Sequence, residues 1–289
     1  MNIIDGKQIA QKIIDELKLR PKPNKIFAAI LVGDNSASKS FLKQKEKVAK
    51  ELGIDFRIYD FQESAGGFTN DFLRKEIGKI ALLKKVGGVI VQLPLPEQIN
   101  KHYILNVIPR EKDVDVLGER ALGAFYVGRN QVLPPPVEVV KEILNDLRFK
   151  IYDLRIAMVG AGFLIGKPIA VWLMNQKIKE MTIFEKGGDL SSPSAGGLKN
   201  YDLIISGTGV AGLIKPGMLK QGAGIIDFGY SFDKNGKISG DFNISETENY
   251  KLKIENFGWY TPTPGGTGPI LVVKIFENFY RLNENEPHT

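Results

Sequence analysis

Apolar, β-rich runs alternate with amphipathic helical patterns along the whole of this 289-residue chain. No other feature restricts the fold as much, because strands that alternate with helices build a mainly parallel sheet of the α/β class. In the first half, strands are expected over 26–32 and 86–91, with a helix over 38–52 between them. In the second half, 156–159, 182–184, 203–205 and 224–227 read as four successive core strands, half or more of a nucleotide-binding sheet. Leu133-Pro134-Pro135-Pro136 suits neither helix interior nor central strand, since proline lacks the backbone donor and fixes φ. We take it as a boundary. The expected domains are therefore 1–136 with 262–289, and 137–261, the last helix over 271–282 returning to the first domain.

Composition removes several kinds of chemistry. There is no cysteine, so disulfides, thiolate nucleophiles and cysteine-held metals are excluded, and two histidines, His102 and His288, are too few to build a metal site. His102 is expected on the surface. The net charge of +6 favours anionic partners. The basic residues are nonetheless spread along the chain, without zinc-finger spacing, aromatic RNA-binding signatures or a basic tail, so nucleic-acid binding is not expected. No stretch reaches the roughly 20 apolar residues of a membrane span. The opening Met1-Asn2-Ile3-Ile4-Asp5 lacks the basic-then-apolar pattern of a secretion signal, which makes the expected location cytoplasmic.

One lysine stands on the wrong face of its helix. At 100° per residue, Phe41, Val48 and Leu52 form an apolar stripe, with Leu42 and Ala49 at its edge and Lys45 at its centre. Lys39, Lys43, Lys47 and Lys50 gather on the opposite, solvated side. A lysine so placed either snorkels, keeping its ammonium wet, or is desolvated. Desolvation lowers the pKa and frees the amine for proton transfer near neutral pH. The wheel leaves both readings open.

A second signal lies in Val159-Gly160-Ala161-Gly162-Phe163-Leu164-Ile165-Gly166-Lys167-Pro168, where a strand runs into glycines and then a helix. Glycines let the backbone approach a pyrophosphate, and a helix N-terminus offers free N–H groups and positive potential. The third glycine comes one residue later than in G-x-G-x-x-G. Further on, the strand ending at Phe184 is followed by Glu185 and Lys186. Glu185 suits a ribose 2′-hydroxyl and Lys186 a 2′-phosphate, so NAD and NADP both remain candidates. The candidate cofactor-binding set is Gly160, Ala161, Gly162, Ile165, Gly166, Glu185, Lys186 and Tyr230.

Together, Ile4-Asp5-Gly6-Lys7, Val91-Gln92-Leu93-Pro94-Leu95-Pro96, Lys112-Asp113-Val114-Asp115 and Pro264-Gly265-Gly266-Thr267-Gly268-Pro269 resemble the bifunctional methylenetetrahydrofolate dehydrogenase/cyclohydrolase family over almost the whole chain. The resemblance implies two α/β domains: an amino-acid-dehydrogenase-like N-terminal domain and a Rossmann-type dinucleotide-binding domain. It also implies oxidation of 5,10-methylenetetrahydrofolate by NADP or NAD, then hydrolysis to 10-formyltetrahydrofolate, an activity of one-carbon metabolism that serves purine biosynthesis. By the family's pattern Lys45 is the essential lysine, Gln92 hydrogen-bonds it, and Asp115 receives the amino-pyrimidine edge of the pterin. Phe41, Val91, Leu93, Pro264, Gly265 and Gly266 complete the folate set, and the implied assembly is a homodimer through the second domain.

The chain departs from the pattern at several places. Phe41 stands where the family has tyrosine, keeping an aromatic face but losing a hydroxyl. Val116 replaces the glycine after the aspartate, Leu133-Pro134-Pro135-Pro136 replaces Pro-Cys-Thr-Pro, and Ile270-Leu271 replaces Met-Thr. Two other readings compete: a shikimate-type dehydrogenase of similar architecture, and a dehydrogenase-only or non-catalytic folate-binding paralogue weakened at Phe41.

Overall fold

The computed structural model describes residues 2–62, 68–185, 188, 190, 197–233, 236–243 and 258–284; Lys186 and His288 lie outside that set. The chain opens with β1 (Asn2–Ile3) and α1 (Gly6–Lys18), followed by β2 (Ile26–Val32), α2 (Ser36–Leu52), β3 (Asp55–Phe61), α3 (Asn70–Leu82) and β4 (Val86–Val91). The short α4 (Lys101–Leu105), then α5 (Glu119–Tyr126) and α6 (Pro135–Asp146), lead to β5 (Arg155–Val159), α7 (Gly166–Met174), β6 (Glu180–Phe184), β7 (Leu203–Ser206) and β8 (Gly224–Asp227). After these come β9 (Ser231–Phe232), β10 (Ile238–Ser239), β11 (Trp259–Tyr260) and α8 (Thr267–Asn283). Among the described residues no helix is long and apolar enough to cross a membrane.

Two compact units emerge, Gln11–Pro135 with Val272–Thr289, and Met1–Ala10 with Pro136–Leu271. The division falls between Pro135 and Pro136. Pro135 begins α6 because the first helical positions need no backbone donor. Residues 1–10 and 262–271 fall in the other unit from the one the sequence suggested. The cause is pairing: β1 lies parallel to β11, Gly6 N donates to Gly265 O at 3.0 Å, and a Cβ on Gly6 would come within 1.7 Å of Gly266 O. Backbone contact this close ties the Pro-Gly-Gly loop to the start of the chain.

The first of these units carries a parallel three-stranded sheet in the order β3-β2-β4. Every residue of β2 and β4 is buried, which explains their unbroken apolar sequences, whereas β3 lies at the edge and mixes charged with apolar residues. The segment after α4 adds a parallel bridge, Val89 to Asp113, beside β4. Phe276 and Phe279 of α8 pack on Phe27 of β2, the last pair stacked with centroids 4.8 Å apart. Burial of such side chains contributes about 1.5–3 kcal/mol each, and it explains why the last helix from Val272 onward belongs to this unit.

The other unit carries a parallel six-stranded sheet in the order β1-β11-β8-β7-β5-β6. From β5 the chain moves first outward to β6 and then to the other side, to β7. The strand order therefore reverses at β5, the arrangement that opens a ligand crevice at the carboxyl ends of a doubly wound sheet. All four expected strands form, each within two residues of its predicted bounds.

Candidate active site

In the unit with the three-stranded sheet, α2 begins where the Asn35 side chain accepts from Ser38 N at 2.9 Å and ends at Gly53, whose φ of 66° closes the helix. Between these caps the buried face is Ser38, Leu42, Lys45, Ala49 and Leu52. Leu42 and Ala49, expected at the edge, are buried instead of Phe41 and Val48, which are half-buried. This rotation leaves Lys45 central and only 8% exposed.

The Lys45 ammonium does not snorkel. Its Nζ donates to Gln92 Oε1 at 2.7 Å, and Gln92 Nε2 donates to Leu93 O at 2.8 Å. The second bond decides which end of the amide faces the lysine. Gln92 is positioned in turn by its backbone N, which donates to Ile30 O at 2.8 Å and so continues the β2–β4 pairing past the end of β4. Burial pushes the Lys45 pKa down, opposed by the charge of Asp115. Burial likewise raises the Asp115 pKa, with Lys45 opposing. In both groups desolvation outweighs the mutual attraction, so both neutral forms gain at the expense of the ions. An amine in this state can give up and take a proton closer to neutral pH than a free lysine.

Asp115 sits in a segment that the sequence reading left without a support. Asp113 is 1% exposed and its Oδ2 accepts from Leu117 N at 3.0 Å and Gly118 N at 2.8 Å. Desolvation pushes Asp113 up to about 7, against the pull of those backbone donors. From α8, Asn278 Nδ2 donates to Val114 O and Leu133 O, both at 2.9 Å. Between them, Val116 is fully buried with φ at 56°, a region that β-branched residues rarely occupy. This is where the family's pattern has glycine. Lys45, Gln92 and Asp115 are thus brought together, with Val91 and Leu93 flanking Gln92 and Phe41 one helical turn before Lys45.

In the unit with the six-stranded sheet, Gly160 has a φ of 88°, and a Cβ on Gly166 would lie 2.0 Å from Gly160 O, so both positions require glycine. Gly162 differs. A Cβ there would meet nothing within 4 Å, and the space beside its backbone is open to a ligand. The first turn of α7 has no side-chain cap at Ile165; Lys167 N donates to Gly162 O at 3.0 Å and Pro168 carries no N–H, so the Gly166 N–H is the first-turn donor left for an anion. The loop therefore fits a dinucleotide pyrophosphate. Ala161 follows in the same loop, and Glu185 lies exposed at the carboxyl end of β6, beside β5. Tyr230, 43% exposed, follows the turn after β8. Lys186 lies outside the described residues. Pro264, Gly265 and Gly266 belong to this unit too, held against Gly6.

Fold and loop together define a two-unit α/β protein with a dinucleotide-binding sheet. Residues 4–115 match the tetrahydrofolate dehydrogenase/cyclohydrolase catalytic domain, and residues 134–286 the NAD(P)-binding domain of the same family. The chain is 31% identical over 283 residues to the bifunctional protein FolD of Staphylococcus aureus strain Newman, covering 96% of this chain and 94% of that one. Among solved structures, the bifunctional FolD methylenetetrahydrofolate dehydrogenase/cyclohydrolase of Campylobacter jejuni superposes with a TM-score of 0.88 at 31% identity, covering 99% of each chain. The Trypanosoma brucei methylenetetrahydrofolate dehydrogenase-cyclohydrolase, solved with NADP and an inhibitor, gives 0.85 at 26% identity, covering 98% of this chain and 97% of that one. The chain belongs to the tetrahydrofolate dehydrogenase/cyclohydrolase family.

Proposed function

We propose that this chain oxidises 5,10-methylenetetrahydrofolate to the 5,10-methenyl form and then hydrolyses it to 10-formyltetrahydrofolate, with Lys45 as the proton-transfer residue. The observation that carries the reading is the buried Lys45 amine on Gln92 Oε1 at 2.7 Å, with the Asp115 carboxylate nearby. When bound, NADP or NAD supplies the hydride acceptor, with Gly160, Ala161, Gly162, Ile165, Gly166, Glu185 and Tyr230 to hold it.

Hydrolysis needs a base to take a proton from the attacking water and an acid to protonate the departing ring nitrogen. A lysine with a lowered pKa can serve in both states. Gln92 accepts one N–H and carries no charge, so it orients the amine without locking it as an ammonium. Asp115, an acceptor of paired donors when ionised, suits the amino-pyrimidine edge of the pterin. The Phe41 face suits stacking on the aminobenzoyl ring, and Val91, Leu93, Pro264, Gly265 and Gly266 complete the folate set. The reading includes a homodimer and a cytoplasmic location, carried by the family resemblance; light scattering of the purified protein tests the first.

The test is a spectrophotometric assay with each nicotinamide cofactor, following the reduced cofactor and methenyltetrahydrofolate together. The reading expects reduced cofactor to accumulate while the methenyl species stays low. A methenyl species that accumulates unhydrolysed supports the dehydrogenase-only reading, which Phe41 favours. Folate binding without any turnover supports the non-catalytic one.

A further inference from the structure

Two carboxylates of the dinucleotide unit, Asp227 and Asp241, are fully buried, and no step above uses either. Asp241 collects three donors from the end of β7 and the loop after it. Its Oδ2 accepts from Ser206 Oγ at 2.5 Å and Thr208 N at 2.7 Å, and its Oδ1 accepts from Val210 N at 3.0 Å. Asp227, at the end of β8, accepts from Gly229 N at 2.6 Å and Phe242 N at 2.9 Å. Two glycines let these segments interlock: a Cβ on Gly240 would lie 2.1 Å from Asp227 Oδ2, and one on Gly229 would lie 2.3 Å from Asp241 Oδ1. The Asp227 backbone extends the cluster, its N donating to Thr261 Oγ1 and its O accepting from Thr267 Oγ1.

The loop that Asp241 holds lies at a functional place in the sheet. Strand order reverses at β5, so the loops after β5 and β7 flank the crevice where a doubly wound sheet takes its ligand. They pack without slack. A Cβ on Gly160 would stand 3.0 Å from Thr208 Cγ2, and one on Gly207 would stand 2.8 Å from Ile165 Cγ2. A displacement of residues 206–210 must therefore be felt by Gly160 and Ile165 in the glycine loop.

We propose that Asp241 is a positioning residue for the dinucleotide: through Ser206, Thr208 and Val210 it sets the loop after β7 against the glycine loop, with Asp227 as its buttress. A carboxylate is suited to this task, because it accepts on both oxygens and brings no donor of its own into a ring of donors. Desolvation, with the neighbouring Asp241 adding to it, pushes Asp227 up to about 7, so a proton on Asp227 relieves repulsion within the pair. The role rests on the reading that NADP or NAD binds this edge of the sheet.

The test compares wild type with D241N and S206A in three measurements: fluorescence titration with NADH and NADPH, steady-state dehydrogenase kinetics, and hydrolysis of methenyltetrahydrofolate, which consumes no dinucleotide. D241N keeps the size of the side chain but turns an NH2 group toward N–H or O–H donors. It should weaken reduced-dinucleotide binding about tenfold or more, leaving folate KM and methenyl hydrolysis within about twofold. S206A removes one donor of three and should weaken binding about two- to fivefold. Methenyl hydrolysis that falls in step with dinucleotide affinity overturns the proposal, since the carboxylate then only supports the fold. Wild-type titration separates the two readings: no dinucleotide binding there overturns both, whereas wild-type binding that both variants leave unchanged overturns the role of Asp241 alone.

Discussion

Replacing Asp113 by asparagine should change how the stability of the folate unit depends on pH. Asp113 is buried, and its pKa rises from the ordinary 3.8 to about 7 on folding, mainly by desolvation. The folded state therefore binds this proton more tightly than the unfolded state. The stabilisation that the proton gives is complete below about pH 3.8 and is lost as pH rises through about 7. With about 1.36 kcal/mol per pH unit, integration from pH 5 to pH 8 gives a loss of roughly 2–3 kcal/mol from this one group. D113N cannot titrate, and its stability should fall by that much less over the same interval. Asp115, also raised, is present in both proteins, and its charge helps to raise Asp113, so the comparison reads Asp113 together with its coupling to Asp115. The assay is hydrogen exchange of the β2 and β4 amides in urea at pH 5, 6, 7 and 8, which reports unfolding of this unit separately from the other. An offset between the proteins at every pH is expected, because the amide alters the bonds to Leu117 and Gly118. Parallel pH dependences for wild type and D113N would refute the reasoning.

Three further outcomes follow from individual residues. At an ordinary buried site glycine is about 1.5 kcal/mol less stable than alanine, through one buried methyl and chain entropy; at Val116, with φ at 56°, relief of about 1–2 kcal/mol should make V116G and V116A nearly equal in urea unfolding. F41Y restores a hydroxyl one turn from Lys45 and should raise methenyl hydrolysis more than hydride transfer; an equal gain in both activities counts against a proton-relay role. Q92A removes the acceptor of the Lys45 ammonium, which should cost about 1–3 kcal/mol of stability, read by thermal unfolding, and lower methenyl hydrolysis.

Much of this was legible in the residues because periodicity reports burial. The runs of β2 and β4, buried along their whole length, and the misplaced Lys45 on an otherwise amphipathic helix needed no tertiary information. β3 escaped because an edge strand such as Asp55-Phe56-Arg57-Ile58-Tyr59-Asp60-Phe61 carries charge on its open face. β1 and β11, two residues each, are too short to show any period, and their pairing moved the chain start and residues 262–271 into the dinucleotide unit. The wheel found the buried lysine but put Phe41 and Val48 on the stripe and Leu42 and Ala49 at its edge, since hydropathy alone cannot rank neighbours that differ by about one step of 100°. Asp113, Asp227, Asp241 and Asn278 were invisible as a class. Asp113 and Asp227 bond to backbone a few residues on, but their burial, like the bonds of Asp241 and Asn278, is set by segments distant in sequence, and the local trace is a nearby glycine, as in Asp227-Phe228-Gly229 and Gly240-Asp241.

The central claim is that an amine kept from water at Lys45 moves the protons of methenyl hydrolysis. The direct measurement is the pH–rate profile of methenyltetrahydrofolate hydrolysis by wild type and by K45M, each first confirmed as folded by thermal unfolding. The account predicts that wild type titrates with a group well below the ordinary lysine value of 10.5, and that K45M loses that inflection with about 10²- to 10⁴-fold of the rate. A folded K45M that hydrolyses the substrate at the wild-type rate, with the same profile, would contradict it.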